Sequence, residues 1–223
     1  MAPKRRSSSV MTNATPWLPA LLTIFILLIY ESALLLVQHH TPARLARTAH
    51  ATLREEWFGA ISKQRGSEIL AVQTLRNSLM SATMTGSTAV LGLIGTVTLS
   101  APSLHSSFGA SDVSTLNFTA RLALELVLMT ILFASLVCSV MAVRYYNHAG
   151  FISSMPVDSE ERQRWSAIGV VYLRRAGLLY SWGLRHLLMV APILASIVYP
   201  LAGPVAAVIL VMILLGFDRV ISK

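Results

Sequence analysis

Two ionisable side chains lie inside long apolar runs of this sequence. Glu31 lies in the run 18–37, and Arg185 lies in the run 178–199. A charge at membrane depth costs on the order of 2.5–3.5 kcal/mol on insertion scales, so such a side chain is expected to have a partner or a function. If both runs are helices, the two residues lie about 10 Å from the same end of the bundle. We therefore predict that Glu31 and Arg185 share one buried polar site, with Asp218 as the alternative partner of Arg185.

More polar side chains are expected near the same membrane face. Arg76 and Asn77 lie at the start of the second apolar run, whereas Arg144, Asn147 and His148 follow the third. Arginine binds anionic groups through paired hydrogen bonds, and amide and imidazole groups can orient such a ligand. The predicted ligand-binding or buried polar cluster comprises Glu31, Arg76, Asn77, Arg144, Asn147, His148, Arg185 and Asp218.

Histidines suggest a different chemistry. His39 and His40 end the first apolar run, His148 follows the third, and His186 lies in the fourth. Two such imidazoles on facing helices could ligate a b-type haem or hydrogen-bond a quinone. Because no paired spacing marks a site of this kind, haem b is kept only as an alternative, and no cofactor or metal is predicted.

The sequence lacks the motifs of common soluble enzymes. It contains no Gly-x-Ser-x-Gly nucleophile motif, no phosphate-binding glycine loop and no His-Glu-x-x-His zinc motif. With one cysteine, a single chain cannot form a disulfide or a multi-thiolate metal site. We predict no catalytic residue. A non-enzymatic protein is favoured, and an intramembrane enzyme is the alternative.

The composition is that of a membrane protein. Of the 223 residues, 54% are hydrophobic and 13% are charged, and the mean hydropathy is +0.63. A soluble domain of this length is less apolar. The formal net charge is +8, but the basic residues lie between the apolar runs and not in an aromatic-rich basic patch. Nucleic-acid binding is therefore not expected.

The apolar runs predict an all-α, polytopic membrane helix bundle with about five transmembrane helices. Crossing a hydrocarbon core of roughly 30 Å takes about 20 apolar residues in a helix. Pro200 and Pro204 bracket a turn, so the last two spans should form a helical hairpin. The final span is short, and a re-entrant segment is the alternative. The predicted spans, within one transmembrane domain of residues 18–219, are 18–37, 77–99, 120–143, 178–199 and 204–217.

Two segments between the spans are predicted to be amphipathic helices at the membrane surface. In residues 43–65, Leu45, Leu53 and Trp57 recur at multiples of four residues, and charged residues take other positions. This periodicity gives a helix with one apolar face, which suits the lipid–water interface. Residues 157–177 form the second such segment.

The basic residues predict the orientation of the spans. Lys and Arg occur in 38–76, in 144–177 and in the C-terminal tail, but not in the loop 100–120 or the turn 200–204. The positive-inside rule places the basic loops and the C-terminus in the cytoplasm and the N-terminus outside. Residues 1–17 are expected to be a flexible basic tail. Their basic residues disagree with this orientation, and a targeting segment is the alternative for them.

Small residues repeat along one face of the second span. Ser78, Ala82 and Gly86 follow one another at four-residue spacing. Small side chains let helix backbones approach closely inside lipid, where the hydrophobic effect no longer drives helix association. This face should therefore pack against another helix of the same chain. The alternative is a docking surface for a second copy of the chain or for another membrane protein.

Two runs are more specific than the apolar segments. Residues 71–77 read Ala-Val-Gln-Thr-Leu-Arg-Asn, and residues 144–151 read Arg-Tyr-Tyr-Asn-His-Ala-Gly-Phe. Together with the stretch from Gly203 to Asp218, they resemble the small membrane family catalogued as domain of unknown function 599. The resemblance implies a multi-span membrane protein that is found largely in bacteria and has no assigned activity. A bacterial inner membrane is then the expected location.

These observations predict an integral membrane protein whose cytoplasmic-side polar cluster binds a small anionic or lipid-headgroup ligand, or lets it pass. Membrane lipids are its expected partners. One alternative is a haem- or quinone-binding electron-transfer subunit, and another is a structural subunit of a larger membrane complex. Converging Arg and His side chains would favour a ligand site. Facing His nitrogens would favour haem, and an exposed small-residue face would favour a partner helix.

Overall fold

The computed structural model describes residues 17–40, 46–108 and 118–218, and these residues form helices and no strand. The all-α fold class predicted from the sequence is confirmed. Apart from Trp17, the predicted basic tail lies outside the described residues, as do positions 43–45 of the first amphipathic segment. In chain order the helices are α1 (Trp17–His40), α2 (Ala46–Ile61), α3 (Glu68–Phe108), α4 (Ala120–Ser154), α5 (Glu160–Val198) and α6 (Ala202–Asp218).

Helices α1, α3, α4 and α5 are long and apolar enough to cross a membrane, and α6 is a shorter apolar helix of 17 residues. This agrees with the predicted polytopic bundle. Helices α3, α4 and α5 contain 41, 35 and 39 residues, which corresponds to about 52–62 Å at 1.5 Å per residue. A hydrocarbon core is only about 30 Å thick. These three helices therefore extend well beyond the apolar layer.

The second predicted surface segment is not a separate helix. Residues 160–177 form the first half of α5, which continues without interruption into the span predicted at 178–199. Ser159 caps the start of this helix, and its Oγ accepts a hydrogen bond from the backbone N–H of Arg162 at 3.2 Å. Glycines at 169 and 177 lie within this helix, and side chains of α2 pack on them.

Helix α2 packs against α5 through these two glycines. A Cβ added at Gly169 would lie 2.7 Å from the ring of Phe58, and one added at Gly177 would lie 2.3 Å from the guanidinium of Arg54. A salt bridge of 3.1 Å between Glu55 and Arg174 adds to the contact. The amphipathic face predicted for this helix is therefore used within the chain, and α2 lies beside α5 and not alone on a membrane surface.

The bundle has two hydrophobic cores along its length. One lies among the apolar spans and includes Leu27, Leu128 and Ile193. The other includes Phe58 and Leu173 and joins α2 to the parts of α3, α4 and α5 that extend beyond the apolar layer. We call this second region the polar end, made of residues 46–79 and 144–177. The opposite end, where residues 199–201 connect α5 to α6, is the turn end.

Small residues let α3, α4 and α5 approach closely near the middle of the bundle. Ser139 of α4 lies between two glycines: a Cβ added at Gly86 would lie 3.3 Å from the Ser139 Cβ, and one added at Gly183 would lie 2.8 Å from the Ser139 Oγ. Ser135 donates a hydrogen bond of 2.8 Å to the Gly183 carbonyl. Ala82 is fully buried. The small-residue face of α3 therefore packs within the chain, and its use by a second copy or another protein stays a prediction.

Arg162 provides hydrogen bonds to the last carbonyls of α4. Its side chain is 1% exposed, and its Nη1 donates to the carbonyls of Ile152, Ser153 and Met155 at 2.8, 2.6 and 3.1 Å. The last carbonyls of a helix lack partners within the helix, and a cation there also complements the helix dipole. In the sequence, Arg162 counted only as one of the charges that set orientation, and its structural role was missed.

The first turn of α6 provides a test of the packing at the turn end. A Cβ at Gly203 would lie 2.4 Å from the Cβ of Ser196 and 2.5 Å from Oγ1 of Thr23, whereas a Cβ at Gly216 would meet nothing within 4 Å. We expect Gly203→Ala to push α6 away from α1 and α5 and to destabilise the protein by roughly 1–3 kcal/mol, the usual cost of overpacking. Unfolding by a denaturing detergent, followed by circular dichroism, measures this.

Gly216→Ala is the matched control in the same helix. Alanine has a higher helix propensity than glycine, so this variant should unfold at the wild-type detergent concentration or above it. Equal destabilisation by both substitutions would contradict the close approach of α6 to its neighbours.

Candidate functional site

Three side chains from three helices form a buried ionic cluster. Arg185 of α5 pairs with Asp218 at the end of α6: Nη1 donates to Oδ2 at 3.0 Å, and Nη2 donates to Oδ1. Nη1 also donates to the hydroxyl of Tyr30 of α1 at 2.6 Å. The Tyr30 hydroxyl in turn donates to Asp218 Oδ2 at 2.7 Å. We call Tyr30, Arg185 and Asp218 the buried triad.

The triad lies within the apolar part of the bundle. Each of its residues lies about 20–24 Å along its helix from the turn end, at 1.5 Å per residue. The side chains of Arg185 and Asp218 are only 10% and 9% exposed. A charge at this depth requires a partner, and the two-pronged contact between guanidinium and carboxylate provides both charge and geometry. The triad thereby joins α1, α5 and α6.

Two partners for Arg185 were predicted from the sequence, Glu31 and, as the alternative, Asp218. In the structure Arg185 forms its ion pair with Asp218. Tyr30 was not singled out, because a phenol carries no charge and so does not stand out in an apolar run. One signal was available: Tyr30 belongs to the stripe of buried positions along α1 that also includes Thr23, Leu27 and Leu34. Such three- and four-residue spacing marks the inward face of a helix.

Glu31 and His186 lie on the next positions of α1 and α5, beside the triad residues. Successive residues on a helix point in directions about 100° apart. Together with Thr130 of α4 they line a cavity of about 340 Å³, whose other walls are apolar. A carboxyl and an imidazole thus face one apolar space next to the triad. That Glu31 and Arg185 act together stays a prediction.

A groove at the polar end brings together two other predicted residues. Arg76 of α3 and Asn147 of α4 line a space of about 370 Å³ between these helices, with Leu75, Tyr146 and Phe151 among its apolar walls. Arg76 and Asn147 are both exposed. Their polar groups therefore lie at the edge of a groove with apolar sides.

The neighbouring face of α4 carries further polar and aromatic groups. Arg144 and His148 are exposed and lie one helical turn apart. The His148 ring lies 5.6 Å from that of Tyr172 of α5, and the Arg175 guanidinium lies 5.9 Å from the ring of Tyr145. We call Arg76, Arg144, Asn147 and His148 the basic face.

The eight residues of the predicted cluster thus lie in two regions. Arg185 and Asp218 belong to the buried triad, and Glu31 lines the adjacent cavity. The other five are exposed: four belong to the basic face, and Asn77 lies beside Arg76 on α3. Because the carboxylate of Asp218 neutralises Arg185, this arginine is not available to an anion in the way that the exposed arginines are.

The histidines proposed as alternative haem ligands have different surroundings. The rings of His39 and His40 lie 5.2 Å apart at the end of α1, and His186 is stacked on Trp182 with a centroid distance of 5.8 Å. Within residues 17–40, 46–108 and 118–218, no group of three or more potential metal-ligating side chains occurs. Haem or quinone binding stays a prediction from sequence alone.

The triad predicts a ranking of substitutions. Asp218→Asn leaves the Arg185 charge buried without a counter-ion, and breaking a buried pair in this way costs about 3–5 kcal/mol. Tyr30→Phe removes one hydroxyl bonded to charged groups and should cost about 1.5–3 kcal/mol. Tyr199→Phe, at an exposed tyrosine, is the control and should leave stability unchanged. Unfolding in a denaturing detergent measures all three, and equal stability of Asp218→Asn and wild type would rule out the ion pair.

The comparison with known proteins agrees with the resemblance found in the sequence. The family model described as "Protein of unknown function, DUF599" matches residues 19–223. No curated protein matches the chain, and no solved structure does so either. The match covers nearly the whole chain, including the triad and the basic face. The chain therefore belongs to the DUF599 family of proteins of unknown function.

Proposed function

We propose that the protein is a non-enzymatic component of a bacterial inner membrane whose polar end lies in the cytoplasm and binds an anionic group on its basic face. The ligand chemistry is a phosphate or carboxylate, carried by a small anion or by a lipid headgroup. The observation that carries the proposal is the groove between α3 and α4, where Arg76 and Asn147 lie together above apolar walls.

The partners of the basic residues at the polar end support this choice. Arg65 pairs with Asp158, Arg174 pairs with Glu55, and Arg162 donates hydrogen bonds to the carbonyls that end α4. Arg76 and Arg144 are exposed and have no ion pair among the residues that the structure describes. Their charge is therefore available to a ligand.

The groups around these arginines suit an anionic ligand at headgroup depth. A guanidinium offers several donors in one plane, which matches the oxygens of phosphate or carboxylate. Asn147 and His148 add further hydrogen-bonding groups to the basic face. The rings of Tyr145 and His148 each lie 5.6 Å from that of Tyr172, and tyrosine is enriched where membrane proteins meet the headgroup layer.

The proposed orientation follows from the distribution of charge. Lys and Arg are concentrated in the segments that form the polar end, and none occurs at 199–204 around the turn end. Basic loops of membrane proteins stay in the cytoplasm. The basic face would then lie beneath the leaflet that carries anionic lipids, whose negative surface attracts arginine by about 1 kcal/mol per residue.

Orientation can be tested with single cysteines in a Cys138→Ala background. A cysteine at Lys63 or Asp158, both exposed at the polar end, should react with a membrane-impermeant thiol reagent only after the cells are opened. A cysteine at Leu201, exposed at the turn end, should react in intact cells. Labelling of Lys63→Cys or Asp158→Cys from outside would overturn the cytoplasmic assignment.

Binding can be tested with the purified full chain and defined lipids. We expect phosphatidylglycerol to bind more tightly than phosphatidylcholine in native mass spectrometry, because only the first carries net negative charge. Arg76→Gln and Arg144→Gln should each weaken phosphatidylglycerol binding by about fivefold, the equivalent of 1 kcal/mol. Arg164→Gln removes an exposed arginine of α5 outside the basic face and should have little effect. An equal loss in all three variants would indicate diffuse attraction and contradict a defined site.

A further inference from the structure

We propose that the groove between α3 and α4 holds one anionic phospholipid, with its headgroup on Arg76 and Asn147 and an acyl chain along the apolar spans. This inference rests on the proposed function and deepens it, because it names the ligand class and the surface that holds its apolar part. It commits to a lipid and not to a free anion or a partner helix.

Two cavities follow one another along the same pair of helices. The one at the polar end has a volume of about 370 Å³ and is lined on α3 by residues from Val72 to Leu79. The next has a volume of about 460 Å³ and is lined on α3 by residues from Ala82 to Leu91, with Leu136 and Val143 on the α4 side. Polar groups therefore stand at one end of a long and otherwise mostly apolar groove.

The dimensions suit a lipid of one leaflet. From Ala82 to Leu91 the groove follows nine residues of helix, or about 14 Å. Half of a hydrocarbon core of roughly 30 Å is about 15 Å. From Arg76 to Ala82 is about 9 Å more, which places the guanidinium beyond the end of the acyl layer, where a lipid phosphate lies. An acyl chain in the groove would thus bring its headgroup to the basic face.

The position of α3 leaves this groove open to lipid. Only 11% of its apolar 18-residue stretch is buried in the bundle, compared with 28–33% for the corresponding stretches of α1, α4 and α5. Ala82 and Gly86 hold α3 close to α4, whereas Thr83 and Ser87 are exposed along the edge of the groove. The Thr83 hydroxyl donates to the Leu79 carbonyl of its own helix at 2.9 Å, so it need not meet an acyl chain as an unpaired donor.

Charge complementarity favours a lipid over a second helix as the occupant. An uncharged transmembrane helix of another chain would match the apolar part of the groove but would offer no anionic group to Arg76 at its end. An anionic phospholipid matches both parts, because its phosphate meets the arginine and its chain meets the apolar walls. A free phosphate would use the arginine and leave the apolar part unused.

The test uses the full chain in detergent with three probes: phosphatidylglycerol, phosphatidylcholine and glycerol phosphate, the last being a headgroup without chains. Ser87→Trp fills the groove from its exposed edge. We expect it to weaken phosphatidylglycerol binding by more than about tenfold, as when several methylene groups lose their contacts. Thr88→Trp adds the same indole to an exposed position of α3 that does not line the groove and should stay within about twofold of wild type.

Ser87→Ala distinguishes filling of the groove from loss of the hydroxyl, and it should bind phosphatidylglycerol as wild type does. Circular dichroism of each variant checks that the bundle is folded. The proposal also predicts that glycerol phosphate binds much more weakly than phosphatidylglycerol, and that Arg76→Gln removes most of the preference over phosphatidylcholine.

Several outcomes would overturn the inference, and they differ in what they leave standing. If Ser87→Trp binds phosphatidylglycerol normally while Arg76→Gln does not, the headgroup site exists without the groove, and only the proposed function survives. If glycerol phosphate binds as tightly as phosphatidylglycerol, the groove is again not part of the site, and only the proposed function survives. If Ser87→Trp weakens both lipids alike and Arg76→Gln changes neither, the groove holds lipid without selectivity and the proposed function fails as well. A dimer that Ser87→Trp dissociates would assign the groove to a second copy.

Discussion

The structure depends on a mismatch between helix length and membrane thickness. Helices α3, α4 and α5 contain 35–41 residues, whereas about 20 suffice to cross a hydrocarbon core. Most of this excess lies at the polar end, where α3 starts, α4 ends and α5 starts. It gives α2 a surface to pack on and creates a second core around Phe58 and Leu173. The basic face exists only because these helices continue past the apolar layer.

Charge burial imposes the second constraint on the fold. Inside the apolar layer, Arg185 is held by the carboxylate of Asp218 and the hydroxyl of Tyr30. At the polar end, Arg162 is also buried, yet it bonds to backbone carbonyls that would otherwise lack partners. Each of these buried arginines therefore links separate parts of the chain. Arg185 links α1, α5 and α6, and Arg162 links the end of α4 to the start of α5. Arg76 and Arg144 of the basic face differ from both, because they are exposed and have no ion pair among the described residues.

Features that depend on composition and period were predicted from the sequence, whereas several that depend on contact were missed. The apolar runs predicted the membrane-compatible bundle, since about 20 apolar residues in a row have few other uses. Arg185 and Asp218 stood out because they are charged. Tyr30 did not, because a neutral side chain in an apolar run attracts no attention until its neighbours are known. The continuity of α5 was also missed, because residues 157–177 have the amphipathic pattern of a surface segment and the apolar run begins only at 178, yet one helix covers both.

Two explanations of the basic face can be separated by the positions of its residues. If arginine served only to keep this end of the protein in the cytoplasm, its position on the helix surface would not matter, because the positive-inside rule counts charges and ignores where they point. Under that explanation Arg65 and Arg174, which are paired with acidic residues, would count as much as Arg76. Arg76 instead stands beside Asn147 at the head of a groove that leads into the apolar part of the bundle. Orientation alone requires neither that amide nor that groove, whereas the anionic lipid that we propose would use both.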